Sequence, residues 1–276
     1  MVASALGLQG SFALVGEDVD AFRRDGHVIV RGLARADEVE HYRPALLEAG
    51  EQVRHDRRPL EERDTYGKAF IQMFNLWRQN ELAKAFVFSR RFACAAAELM
   101  GVSGVRLYHD QALFKEPGGG PTPWHQDRFY WPLDTTHTIT LWIPLVPAAE
   151  EMGLMTFASG SHRFGSLGDF AIGDESQAQF DRVIEEKGLP RTASSAFALG
   201  DASFHSGWTL HSSPPNRTRT LREAMTVIYF ADGTRVGPLD HPNRRFDRDA
   251  WLRGCEPGDL AAGKLNPLLY PTREAP

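Results

Sequence analysis

From Val105 onward the chain changes texture, and that change limits the folds open to it. Short runs of alternating apolar residues, separated by Gly, Pro and Asn, replace the longer helical periodicities of the first hundred residues. "VRLYHDQALFKE", "THTITLWIPLVP", "GLMTFASGS", "SAFALG", "DASFHSGWTLH" and "REAMTVIYFAD" read as strands. A series of short strands with turn signals between them has to close its sheets on one another, so a sandwich or barrel is expected. Upstream, residues 17–25 read as a short helix stopped by Gly26, and "HVIVRGL" as a strand. "ADEVEHYRPALLEAGEQVRHD" has helical spacing, "RRPLEERD" reads as a solvated loop, and residues 80–101 read as one helix with Asn80 as N-cap and Gly101 as its stop.

The 276 residues fit one domain, 1–276, since no linker divides them: helical support over 1–104, a β core over 105–235 and a C-terminal extension over 236–276. Residues 162–192 are longer than an ordinary β connection and contain a helix-like stretch, which suits a lid over a site. With 42% hydrophobic and 24% charged residues the composition is that of a globular chain. A net charge of -5 leaves no electrostatic footprint for nucleic acid or an anionic membrane. No apolar run reaches 18 residues, and "MVASALGLQGSFALVGEDVD" lacks a charged leader, so a cytoplasmic location is expected. Cys94 and Cys255 are read as reduced thiols.

"GGGPTPWHQDRFYW" (residues 118–131) raises the question of a metal site. If "WHQD" is extended, His125 and Asp127 project to one side and Gln126 to the other. A third ligand must come from far along the chain, and His205 and His211 are the candidates. In one extended strand they would share a face yet stand about 20 Å apart, so only one could join the ion. His211, at a strand end before a Ser-Pro-Pro-Asn turn, is the expected ligand, and His205 is expected to pack or to line a pocket. Two neutral imidazoles and one carboxylate leave three positions open, which suits a non-haem Fe(II) oxygenase. Eleven residues after His211, Arg222 can clamp the far carboxylate of a diacid in a bidentate pair. In "THTITLWIPLV", Ile139, Leu141, Ile143 and Leu145 share one face, so Trp142 and Thr140 turn toward either a pocket or a second packed layer. Arg128, Phe129, Tyr130 and Trp131 follow the metal motif and are candidates for stacking on a flat substrate.

The stretches "LYHDQALFKEPGGGPTPWHQD", "TLWIPLVPAAEEMGLMTFASGSH" and "LGDASFHSGWTLHSSPPNRTRTLREAMTVIYF", with the weaker "AFRRDGHVIVRGL", resemble the phytanoyl-CoA dioxygenase family of Fe(II)/2-oxoglutarate-dependent oxygenases. The resemblance implies a mainly β fold with flanking α-helices, built on a double-stranded β-helix, the cupin-like jelly roll. It also implies Fe(II) held by His125, Asp127 and His211, with 2-oxoglutarate and O2 as co-substrates. By the same resemblance Arg222 and Ser213 hold the distal carboxylate of 2-oxoglutarate, and Trp142 lines that pocket. Gln72, Gln111 and Lys115 resemble polar positions near the co-substrate or substrate. In a halogenating branch of the family a small residue replaces the metal-binding carboxylate, and Asp127 argues against that chemistry.

The expected function is oxidation of an unactivated C–H bond of a small-molecule metabolite, a natural-product intermediate rather than an acyl-CoA, because no basic cluster suits a CoA phosphate tail. Hydroxylation, ring closure, epimerisation and desaturation stay open, as does the oligomeric state. Two other readings stay open as well: a cupin-like metal-dependent isomerase or ligand-binding protein without oxygenase activity, and a metal-free binding module.

Overall fold

The computed structural model describes residues 7–10 and 12–271. The first six residues, which carry part of the leader reading, lie outside the described residues, as do 272–276. In chain order the elements are helix α1 (Gly16–Asp25), strand β1 (His27–Val30), helices α2 (Ala36–Val53) and α3 (Thr65–Ala69), and strand β2 (Ile71–Phe74). Then come α4 (Glu81–Val87), α5 (Arg90–Met100), β3 (Val105–Phe114), β4 (Thr122–His125), β5 (Thr138–Pro144) and β6 (Thr156–Ala158). The chain continues with α6 (Asp174–Glu186), β7 (Arg191–Ala193), β8 (Ala202–Ser206), β9 (His211–Ser213), β10 (Ala224–Ala231), α7 (Pro242–Trp251) and β11 (Leu268–Tyr270).

Two antiparallel sheets result. The larger runs β1-β8-β5-β10-β3-β11, with β2 also pairing β3, and the smaller runs β4-β9-β6-β7. Strand β5 is buried along its whole length. One of its faces, Ile139, Leu141 and Ile143, joins Met225, Val227 and Tyr229 of β10 and Phe92, Ala93 and Ala96 of α5 in the main core. The alanines of α5 let the helix lie close to the sheet. Each large apolar side chain buried there is worth roughly 2 kcal/mol, and a slip of one residue would turn the whole set outward, so this face fixes the register. The opposite face of β5, Thr140 and Trp142, looks into a cavity between the sheets. Of the two roles open to Trp142 in the sequence it takes both, bordering the cavity and packing with Phe157 and Phe197 in a second apolar layer.

The expected helix over 80–101 is two helices. Asn80 caps the first, its side chain accepting from Ala83 N, and Gly101 ends the second at φ 68°. Between them Ser89 leaves the helical conformation and its hydroxyl accepts from Phe92 N, capping α5. A serine that can satisfy an orphan amide competes with helix continuation, which apolar spacing alone does not reveal. "SAFALG" is likewise not a strand: Phe197 makes a single bridge to Ala148. Helix α6 docks on the outer side of β4, where Phe180 and Ile184 pack with Trp124 and Trp124 Nε1 donates to Asp181.

Candidate metal and co-substrate site

Strands β4 and β9 pair so that His125 stands directly across from His211, and their rings lie 4.0 Å apart. His125 ends its strand, Gln126 stays extended (φ -118°, ψ 121°), and Asp127 opens a short 3-10 turn that brings its carboxylate back to the imidazoles. His125 Nδ1 lies 2.8 Å from the Pro123 carbonyl and His211 Nδ1 lies 3.0 Å from that of Thr209. A carbonyl only accepts, so each Nδ1 carries the proton and each Nε2 presents its lone pair. Those Nε2 atoms are 3.6 and 3.7 Å from Asp127 Oδ1, and the three ligand atoms lie within 4.8 Å of one another. Two neutral nitrogens and one carboxylate oxygen on one side of a point fit a first-row divalent cation with open positions.

The other carboxylate oxygen is already used. Asp127 Oδ2 accepts from Thr140 Oγ1 at 3.0 Å and from His205 Nε2 at 3.2 Å. Burial pushes the Asp127 carboxyl up, but His211, His205 and His125 outweigh it and hold the group well below the usual carboxylate range. His205 therefore sits beside the site rather than about 20 Å from His211: their ring centroids are 4.4 Å apart. The extended run expected over 201–211 is broken, because β8 belongs to the large sheet and β9 to the small one. The chain crosses between them in a turn closed by Thr209 N donating to the Ser206 carbonyl at 2.8 Å. Gly207 makes that crossing possible, since a Cβ there would stand 2.3 Å from Thr138 Oγ1 and 2.8 Å from the Trp131 ring.

Deeper in the cavity, Arg222 precedes β10, with its Cζ 5.6 Å from the Trp142 ring centroid. Its guanidinium donates to the Gly153 carbonyl, its Nε has no partner, and no acidic side chain among the described residues pairs with it. Burial lowers its pKa to about 10, which leaves it a cation. A buried cation without a counter-ion is costly, so this is a place that favours an anion. Ser213 Oγ accepts from Lys115 Nζ at 2.9 Å and donates to Thr122 Oγ1 at 3.0 Å. Lys115 is fully buried, its Nζ also donating to the carbonyls of Gly120 and Pro214, and burial with the Arg222 charge pulls its pKa down to about 6.

The cavity has a volume of about 710 Å³ and runs from Arg222 past the two histidines and Asp127 to the surface. Gln72 and Gln111 line it and are joined by a 2.5 Å hydrogen bond, and Tyr130 and Trp131 form part of its wall. Arg128 and Phe129 do not reach it. The 3-10 turn points Arg128 away, where it donates to the carbonyls of Thr135, Trp131 and Leu133, and Phe129 packs on Tyr130 and His241. The sequence reading missed α7. Its residues Asn243, Phe246, Asp247, Ala250 and Trp251 all line the cavity, and their spacing of three, four, seven and eight is the signal that could have found them.

Five imidazoles, His27, His109, His125, His162 and His211, are pulled down by burial, His27 to about 4 and His109 to about 3. Unfolded, each titrates near 6.5. Below that value the folded chain binds fewer protons on these rings, so their contribution to stability is whole above about pH 6.5 and is lost as pH falls. Lys115, brought down to about 6 by burial and the Arg222 charge, acts in the same direction, its contribution being lost as pH falls toward 6. Asp110 and Asp247, raised to about 7 by burial, act oppositely. With six groups against two, a net loss on the order of a few kcal/mol is expected for the metal-free chain between pH 7.5 and pH 5, read from urea midpoints.

Residues 22–224 match the family model described as "Phytanoyl-CoA dioxygenase (PhyH)". The chain belongs to the phytanoyl-CoA dioxygenase family. The matched stretch contains every residue of the two-histidine, one-carboxylate cluster and Arg222, and it stops before α7. Among curated relatives, the chain is 29% identical over 133 residues to a probable alpha-ketoglutarate-dependent hypophosphite dioxygenase of Stutzerimonas stutzeri, covering 46% of each chain. It is 32% identical over 138 residues to a methylphosphonate hydroxylase of Gimesia maris, covering 50% of this chain and 49% of that one. The matches thus span about half the length of these relatives. Among solved structures, the carbocyclase SnoK from nogalamycin biosynthesis is similar at 26% identity and a TM-score of 0.74, with 94% of this chain and 99% of that one covered. The epimerase SnoN, in complex with Fe3+, alpha ketoglutarate and nogalamycin RO, is similar at 29% identity and a TM-score of 0.72, covering 92% and 97%. The fold shared with these structures is the double-stranded β-helix expected from the family resemblance.

Proposed function

We propose that the chain is a non-haem Fe(II)- and 2-oxoglutarate-dependent dioxygenase acting on a C–H bond of a small natural-product intermediate. The observation that carries this reading is the convergence of His125 Nε2, Asp127 Oδ1 and His211 Nε2 in the same cavity as a buried arginine that lacks an acidic partner. His125, Asp127 and His211 would hold the ion. Bound there, Fe(II) would supply the oxidative decarboxylation of 2-oxoglutarate by O2 and the hydrogen removal from which hydroxylation, ring closure, epimerisation and desaturation all begin. Arg222 would pair with the distal carboxylate in bidentate fashion, with the Ser213 hydroxyl beside it. Lys115 orients that hydroxyl. His205 and Thr140 hold Oδ2 of Asp127, which would leave Oδ1 for the ion. Trp142 and the β5–β10 floor exclude water from this end.

The cavity favours a sizeable metabolite over the few-atom anions named for the curated relatives. It measures about 710 Å³, and Phe74, Tyr130, Trp131 and Trp251 give it aromatic walls. Residues 162–192 bring Ile172 to the wall, its N–H donating to the Tyr130 hydroxyl at 2.8 Å, and we read them as a cover. Among the described residues no helix is long and apolar enough to cross a membrane, and a cytoplasmic location accords with the reading. A metal-dependent isomerase without a diacid co-substrate would leave the unpaired Arg222 without a role. The test is to add Fe(II) and 2-oxoglutarate anaerobically and then admit air: a visible metal-to-ligand charge-transfer band followed by succinate supports the proposal. Absence of both overturns it.

A further inference from the structure

The upper part of the cavity contains a polar spot that the metal and co-substrate residues leave unused. Strands β3 and β10 slip register there: Ile228 pairs with His109 and Tyr229 with Leu107, leaving Tyr108 as an extra residue. A bulge of this kind re-aims side chains and recurs beside functional sites. Here neighbouring residues both come to bear on the wall formed by α7. Tyr108 donates its hydroxyl to Asp247 at 2.8 Å, and the His109 ring lies 4.8 Å from that of Trp251 and 5.4 Å from that of Phe74. Phe74 and Trp251 are themselves 4.9 Å apart and tilted by 35°.

His109 is 4% exposed and its ring lines the cavity; its Nδ1 is buried on the Asp110 backbone side, so Nε2 is the nitrogen left to face a ligand. Unlike the Nε2 atoms of His125 and His211, which face Asp127, the Nε2 of this neutral imidazole meets no polar group among the described residues and can hydrogen-bond a ligand. Burial holds it neutral at physiological pH and also raises the Asp247 carboxyl, so the spot matches neither a strong anion nor a strong cation. A hydroxyl group both donates and accepts, and the surrounding rings suit a flat aromatic frame.

We propose that His109, with Asp247, Phe74 and Trp251, forms a substrate subsite that hydrogen-bonds a hydroxyl group carried on an aromatic ring system. This rests on the oxygenase reading, and it names the substrate class that the reading leaves open. All four residues lie on β3, β2 and α7 near the bulge; His109 and Phe74 fall within the 22–224 match, and Asp247 and Trp251 fall beyond it.

The test compares two probes of similar shape, 2-naphthol and 2-methylnaphthalene, by equilibrium dialysis against the full chain loaded anaerobically with Fe(II) and 2-oxoglutarate. A preference of about tenfold for the naphthol is expected in the wild type, the worth of one hydrogen bond. It should collapse to within about twofold in His109→Phe, with methylnaphthalene binding retained, and survive in part in His109→Gln. No preference in the wild type, or a full preference in His109→Phe, overturns the subsite. If His109→Phe does not fold, His109→Leu replaces it: a preference within about twofold is expected, and a full preference overturns the subsite. The charge-transfer band of the same wild-type sample separates the two claims: band without preference sinks the subsite alone, and no band sinks the oxygenase reading.

Discussion

His211→Ala is expected to lower succinate formation by about 10³-fold and to abolish the anaerobic charge-transfer band, while the chain stays folded. The ion loses one of three protein ligands, and several kcal/mol of metal-supplied stabilisation go with it. Stability should change little for a specific reason. In the metal-free chain His211 is one of three imidazoles crowded around a single carboxylate, and its Nδ1 bond to the Thr209 carbonyl is local to its own strand. Removing it empties a site that already opens on the cavity instead of carving a hole in the main core. His205→Ala provides the contrast. That ring meets Asp127 only at its far oxygen, which Thr140 also holds, so a loss of 10- to 100-fold in Fe(II) affinity is expected, with turnover recovered at high Fe(II). Iron titration followed by succinate assay separates the two variants. If His205→Ala lost iron at every concentration and His211→Ala kept it, the ligand set would be wrong.

The second large effect is at Arg222. Arg222→Leu is expected to raise KM for 2-oxoglutarate by roughly 10²- to 10³-fold, since breaking a desolvated charge pair costs about 3 to 4 kcal/mol. The same variant should be at least as stable as the wild type without ligand, because it removes a buried cation that has no counter-ion. The two effects run in opposite directions, and thermal unfolding with and without 2-oxoglutarate reads both. The wild type gains stability as the co-substrate saturates it, and the variant starts no lower and gains nothing at the same concentration. A variant that lost stability without ligand and kept its response to 2-oxoglutarate would show Arg222 to be a packing residue.

The β architecture was legible because its signal is local: alternation along β5 and β10 sorts core from cavity residue by residue, and Asn80 and Gly101 mark helix ends by side-chain chemistry and left-handed backbone. What escaped depended on how segments meet. The residues 201–211 look like one strand since nothing in their alternation says that Gly207 must pass under Trp131 and carry the chain from one sheet to the other. Arg128 looks like a substrate contact until three carbonyls are found around its guanidinium. The tilt of α7 over the cavity is set by packing against β3, so its role could be read only as an amphipathic stripe of unknown orientation. The pairing of His125 with Asp127, by contrast, was readable from two positions of an extended segment, and Arg222 from its place after the distant histidine.

Asp127 faces two ways: one oxygen looks toward the histidines of the small sheet, and the other is held by Thr140 and His205 of the large one. The carboxylate of the proposed metal site is thus also the joint between the halves of the β-framework. Any shear of one sheet over the other would be felt there before it disturbed either core, so the accuracy of the site belongs to the whole scaffold and not to three residues alone.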